Sequence, residues 1–192
     1  MLPAIHSYIP SSKKQTLLIH RVLLVGAPEG GKTTLLNSLA RHADLSTPSA
    51  VTTTNTIFGV TAQNLTIYGR SLSIWDIGIL RHRGILGHHI GYVDAAVGLV
   101  CVVDSTSILQ LERTKAWLLE IYEEYGTRLT DAVLLVFANK QDQTGAMSVA
   151  EVRDRMELES RALCLRWHIQ GSSATAGDGI LEGMAWMATQ LE

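Results

Sequence analysis

The run Leu17-Leu18-Ile19-His20-Arg21-Val22-Leu23-Leu24-Val25, continuing into Gly26-Ala27-Pro28-Glu29-Gly30-Gly31-Lys32-Thr33-Thr34, decides the fold. Leu17 to Val25 is almost continuously apolar, as expected of a strand covered on both faces, and it stops at Gly26. The next eight positions place glycines at 26 and 31, lysine at 32 and a hydroxyl at 33, the spacing of a phosphate-binding P-loop between a strand and a helix. Backbone N–H groups of Gly26, Glu29, Gly30, Gly31, Lys32, Thr33 and Thr34 can turn toward a β-phosphate, with the positive end of the following helix behind them. The Lys32 ammonium can bridge phosphates and the Thr33 hydroxyl can ligate Mg²⁺. Pro28 has no N–H to contribute, and the Glu29 carboxylate must point away from bound phosphate or weaken its binding. A helix is expected from Lys32 to about His42, with Leu35, Leu36 and Leu39 at helical spacing.

Outward from this unit, strand and helix signals alternate. Leu65, Ile67, Leu72 and Ile74 alternate with polar neighbours around Tyr68-Gly69-Arg70-Ser71, which predicts an antiparallel hairpin. Val97 to Val103 and Ala132 to Ala138 read as buried strands. Between them Leu111, Leu118, Ile121 and Tyr125 share one face of a helix. Ser148-Val149-Ala150-Glu151 is a capping box, Arg166 to Gln170 a last strand, and Leu181, Met184, Met187 and Leu191 line a final helix. The predicted class is α/β: a doubly wound, mostly parallel six-stranded sheet with one antiparallel edge strand and helices on both faces. Ligands in such folds sit at the carboxyl ends of the strands.

A second motif lies at one of those ends. Asn139-Lys140-Gln141-Asp142 follows the strand ending Leu135-Val136-Phe137-Ala138. A carboxylate at Asp142 can accept from guanine N1–H and the 2-amino group, a donor pair that adenine lacks. The Lys140 stem can lie along the base, and Asn139 can tie this loop to the P-loop. After the last strand, Ser173-Ala174-Thr175 can offer the Ala174 N–H to guanine O6.

Composition narrows the classes. The 192 residues are 46% hydrophobic and 18% charged, enough for one domain with a proper core. The formal charge of −2 argues against a general nucleic-acid-binding surface, which needs clustered cations. Cys101 and Cys164 stand apart in apolar sequence, which fits reduced thiols and a cytoplasmic protein. The apolar runs are too short to cross a bilayer. Residues 1–16 read as a flexible arm and 17–192 as the folded domain. Pro3 and Pro10 limit any helix in the arm, and Leu2 stands where myristoylation needs glycine. Membrane contact is therefore expected to be weak and peripheral at most, and the chain to be a monomer.

The phosphate and guanine motifs, together with Trp75-Asp76-Ile77-Gly78, Val102-Val103-Asp104-Ser105, Asp131 to Asp142 and Ser173-Ala174-Thr175-Ala176-Gly177-Asp178-Gly179, resemble the Arf/Arl (ADP-ribosylation-factor-like) branch of the small GTPases from about Arg21 to the C-terminus. Trp before Asp76, and Asp178-Gly179-Ile180-Leu181-Glu182-Gly183 after the last strand, look like this branch rather than Ras or Rab. The resemblance implies a P-loop switch holding GTP/GDP and Mg²⁺. Protein effectors, an exchange factor and an activating protein would meet it at its switch segments, in the cytoplasm or peripherally at an intracellular membrane. It also implies that Asp76 reaches Mg²⁺ through water and that a threonine of the Thr52 to Thr56 run, Thr56 being the best match, closes on Mg²⁺ and the γ-phosphate.

After Gly78 the family has Gly-Gln, whose glycine N–H meets the γ-phosphate and whose glutamine orients the attacking water. Here the two positions are Ile79 and Leu80. Ile79 still has an N–H, but Leu80 can neither donate to nor accept from water, so slow intrinsic hydrolysis is expected. Arg81, His82 and Arg83 are the substitutes in reach, and with His88 and His89 they form a cationic cluster in a glycine-rich segment. Two other classes stay open. Pro28, Glu29, Ile79 and Leu80 favour a scaffold that binds nucleotide constitutively or not at all. A small P-loop kinase is disfavoured by Asn139-Lys140-Gln141-Asp142 and by the lack of an arginine-rich lid.

Overall fold

The structure is a computed structural model that describes residues 19–42, 51–57, 60–77, 93, 95–158 and 166–191. Its elements in order are β1 (Ile19–Val25), α1 (Lys32–His42), β2 (Val51–Ile57), β3 (Val60–Ile67), β4 (Arg70–Asp76), β5 (Ala96–Asp104), α2 (Ile108–Tyr125), a 3₁₀ turn (Gly126–Arg128), β6 (Val133–Asn139), α3 (Val149–Met156), β7 (Trp167–Gly171) and α4 (Ile180–Gln190). The arm, the Gly78 to Gly91 segment with Ile79 and Leu80, and Cys164 lie outside the described residues.

The strands run β2-β3-β4-β1-β5-β6-β7 in one sheet. Pairings β1 to β4, β1 to β5, β5 to β6 and β6 to β7 are parallel; β3 is antiparallel to both neighbours. The expected doubly wound, mostly parallel sheet with one antiparallel member is present. Among the described residues the sheet nevertheless has seven strands, not six, and the antiparallel one, β3, is second from the edge. The added edge strand, Val51-Thr52-Thr53-Thr54-Asn55-Thr56-Ile57, is too polar to show an apolar pattern, and its β-branched residues pair with β3.

The central strands explain their own sequence. Leu23, Val25, Leu99, Cys101, Val103, Leu134, Val136 and Ala138 face α2 and α3, where Leu111, Trp117, Leu118, Ile121, Tyr125, Val152 and Met156 meet them. Val22, Leu24, Val100, Val102, Val133, Leu135 and Phe137 point to the other side, against Leu35, Leu36, Leu39, Met184 and Met187 of α1 and α4. Both faces are covered, so alternation disappears and each strand reads as one apolar run. Each fully buried large aliphatic side chain contributes about 1.5 to 3 kcal/mol. Cys101 is inside this core, and burial pushes its thiol up to about 12, which leaves it unreactive.

Local signals hold as well. Tyr68 and Gly69, at φ 49° and 74°, form the two-residue β3–β4 turn, the positive-φ pattern that suits the right-handed twist of a hairpin. Ser148 caps α3: its hydroxyl accepts from the Glu151 N–H, and the Glu151 carboxylate accepts from the Ser148 N–H at 2.8 Å. The carboxyl ends of β1, β5, β6 and β7 therefore come to one rim, each carrying one of the loops singled out above.

Candidate nucleotide site

The P-loop leaves β1 at Gly26 with φ +138°, and a Cβ there would lie 2.3 Å from the Val102 carbonyl oxygen on β5. Only glycine fits, because both the backbone angle and the space exclude a side chain. The Ala27 N–H donates to the Thr114 hydroxyl of α2 at 3.0 Å, and that hydroxyl donates to the Gln110 carbonyl at 2.9 Å. The Gly30 N–H returns to the Ala27 carbonyl at 3.3 Å. Glu29 is exposed and sits at φ 62°, unusual for a non-glycine, in keeping with a carboxylate that points away from the loop interior. The first intrahelical bond of α1 runs from the Leu35 N–H to the Gly31 carbonyl, so the amides ahead of it point out of the helix end, the arrangement that favours an anion. The Lys32 ammonium donates to the Gly26 and Ala27 carbonyls at 2.7 and 2.9 Å. It therefore lies inside the curve of the loop.

Asn139, at the end of β6 and buried, joins three loops. Its amide donates to the Gly30 carbonyl at 2.9 Å, while its Oδ1 accepts from the Ala174 N–H at 2.9 Å and the Ser172 hydroxyl at 3.3 Å. Gly31, at φ +98°, has no room for a Cβ, which would meet Asn139 Nδ2 at 2.3 Å. Its glycine thus serves the contact between the phosphate and base loops as well as the turn. The Ala174 N–H, expected to serve guanine O6, is engaged by Asn139 here, so a base oxygen would share or replace that bond. Ser173 is buried, its N–H donating to Asp178, and Thr175 is exposed at the same loop.

Lys140 stands at φ 67° and its ammonium pairs with Asp104 at 2.7 Å. Asp104 is buried at the end of β5, and its second oxygen accepts from the Thr106 N–H at 2.9 Å and the Thr106 hydroxyl at 2.6 Å. Burial alone would raise the Asp104 carboxyl, but these bonds and the Lys140 charge outweigh it and hold the group below the usual carboxylate range. A depressed carboxyl stabilises the fold above its unfolded value, near pH 4, and that contribution goes as pH falls through the lower folded value. Acid titration followed by thermal melting should therefore show a smaller stability loss on acidification in Asp104→Asn than in the native chain. Gln141 is tied on both sides, its N–H to the Ser172 carbonyl at 3.0 Å and its amide to the Ser105 hydroxyl at 2.9 Å and the Met147 carbonyl at 3.0 Å. Asp142 is exposed, with no hydrogen bond or ion pair to another described residue. Its acceptors face no competition from them.

On the phosphate side, Thr33 is exposed at the start of α1, and Asp76 ends β4 beside Leu24 of β1. Both are hard oxygen donors of the kind Mg²⁺ takes, Thr33 on the first turn of the helix that follows β1 and Asp76 at the end of β4, the strand beside β1. Thr56 is not brought to them. It pairs with Thr61, which pairs with Asp76, so its backbone lies two strands away, roughly 10 Å at ordinary strand spacing. Among the described residues no group of three or more histidine, cysteine or acidic side chains could hold a metal by itself.

Asp104, Ser105, Thr114, Gln141 and Ser172 support the site through contacts to which no role was assigned from sequence, although Gln141 stands in the guanine motif and Asp104-Ser105 among the segments that carry the family resemblance. Its position as a carboxylate closing an apolar central strand, within the segment that resembles the family, was the signal for Asp104. The others act through contacts between distant segments.

The ADP-ribosylation factor family model matches residues 6–191. The match begins within the segment read as an arm and runs through every motif described above. With the doubly wound sheet and the joined phosphate and base loops, it shows that the chain belongs to the ADP-ribosylation factor family of GTP-binding small GTPases.

Proposed function

We propose that the chain is a guanine-nucleotide switch of the Arf/Arl type that holds GTP or GDP with Mg²⁺, signals by binding effector proteins, and hydrolyses GTP very slowly unaided. The observation that carries this reading is the Asn139 side chain, which binds the P-loop at Gly30 and the third loop at Ala174. One nucleotide can span those loops. In this reading Lys32 and the amides from Glu29 to Thr34 hold phosphates, Thr33 and Asp76 hold Mg²⁺, and Lys140, Asp142 and Ala174 hold the base. Thr56 reaches the ion only if β2 leaves β3, so the edge strand is the two-state element that the γ-phosphate would bias. Effectors and regulators would read that change. The protein would act as a monomer in the cytoplasm, with at most peripheral membrane contact; no helix among the described residues is long and apolar enough to cross a membrane.

Slow turnover rests on Ile79 and Leu80. Hydrolysis in this class depends on positioning a water, and a leucine side chain offers that water nothing. Single-turnover measurements on GTP-loaded protein should show little hydrolysis in the native chain. Leu80→Gln should gain about 100-fold, the low end of what a positioned group contributes. Ordinary family-like rates in the native chain, or no gain in the variant, would sink this part of the reading. The alternative is a pseudo-GTPase scaffold, favoured by Pro28 and Glu29 within the loop that must hold phosphate.

A further inference from the structure

We propose that Asp104 is a positioning residue for base recognition, holding Lys140 and with it the loop that presents Asp142; this rests on the guanine-nucleotide reading above. Three observations carry it. The Asp104 carboxylate is buried, lies 2.7 Å from the Lys140 ammonium, and is itself fixed by two donors from Thr106. Lys140 has φ 67°, a left-handed conformation that costs a non-glycine residue free energy and persists only where its surroundings impose it. The adjacent pair is held by the same turn: Ser105 takes the Gln141 amide at 2.9 Å, directly after Asp104 takes Lys140. The last residue of β5 and the one after it, Asp104 and Ser105, thus grip two consecutive residues of the base loop, and the next residue, Asp142, is left exposed to meet the ligand.

The chemistry follows from the charge. With the ammonium anchored on Asp104, the four-carbon stem of Lys140 has a fixed start and end, and can serve as a wall for a flat base. Without the carboxylate the ammonium seeks water or the nucleotide phosphates, the left-handed backbone loses its support, and Asp142 loses its aim. The positioning residue touches no ligand. Its effect should appear in base selectivity and nucleotide release.

The test uses the full chain loaded with N-methylanthraniloyl-GDP, with release measured after adding excess GDP and competition measured with GDP and IDP. Asp104→Asn should release nucleotide at least about tenfold faster and narrow the GDP-over-IDP preference, while Asp104→Glu should recover much of both. Adding Lys140→Met to Asp104→Asn should worsen release little further, because the two side chains act as one unit. Thr106→Val, which keeps the carboxylate and removes one of its donors from an exposed position, should give a smaller acceleration of a few-fold. It carries the test if Asp104→Asn does not fold. Native-like release and selectivity in Asp104→Asn, or in Thr106→Val where the first variant is unfolded, would overturn the inference, as would a lowered melting temperature with both nucleotide readouts unchanged. Failure of the native chain to bind the labelled GDP would instead overturn the parent reading.

Discussion

Asp142→Ala should lower GDP affinity by about 100-fold to 10,000-fold, erase the preference for GDP over IDP and weaken the preference over ADP, with no change in melting temperature. The fold should not notice the change, because Asp142 is exposed and bonded to no other described residue. The ligand should notice it strongly. A carboxylate accepting from N1–H and the 2-amino group makes two charge-assisted hydrogen bonds, each contributing about 1.5 to 3 kcal/mol. Together these give about 3 to 6 kcal/mol, at 1.4 kcal/mol per tenfold in affinity. IDP lacks the 2-amino group and should already bind the native chain more weakly than GDP by one such bond. In Asp142→Ala the two should converge. Competition of unlabelled GDP, IDP and ADP against a fluorescent guanine nucleotide reads all three at once, and an undiminished guanine preference would remove Asp142 from the base site.

Lys32→Ala should weaken binding of GDP and GTP by about 100-fold or more, and, unlike Asp142→Ala, without changing the preference among bases. The ammonium sits within the P-loop, 2.7 Å from the Gly26 carbonyl and 2.9 Å from that of Ala27. A phosphate entering the loop shares or replaces those bonds and gains a half-buried cation as partner. Removing it leaves two carbonyls to find other donors, so a modest loss of melting temperature should accompany the loss of binding. Titration with the same nucleotide set separates the variants: one changes affinity uniformly, the other changes selectivity. A uniform loss in both would mean that the two loops do not act on separate parts of one ligand.

Much of the fold was legible because its physics is local. Val22 to Val25, Leu99 to Val103 and Val133 to Ala138 are buried on both faces and carry that burial as unbroken apolar sequence. Leu65, Ile67, Leu72 and Ile74 are all buried and alternate, as a half-covered hairpin must. Val51 to Ile57 was not legible as a strand, since its threonines become one only through pairing with β3. For the same reason a threonine at position 56 could be assigned to the ion by resemblance and yet lie two strands from Asp76 in this structure.

The site divides along the same line. Gly26 to Thr33 and Asn139 to Asp142 are short strings whose roles follow from residue type and spacing. The bonds that assemble them are long-range: Asn139 to Gly30, Thr114 to Ala27, and Lys140 to Asp104 connect segments 109, 87 and 36 residues apart. Such contacts leave no periodic trace. Gly31 shows what a sequence reading alone conceals, because the same residue that turns the P-loop also clears the space that Asn139 occupies.

The most direct measurement is to denature the purified chain, separate the released small molecules by chromatography, and identify the nucleotide. A guanine nucleotide should be released, with GTP predominating over GDP, since the binding loops are assembled while Leu80 leaves hydrolysis without its water-positioning group. GDP alone would contradict the slow turnover, and an adenine nucleotide or an empty site would contradict the guanine switch itself.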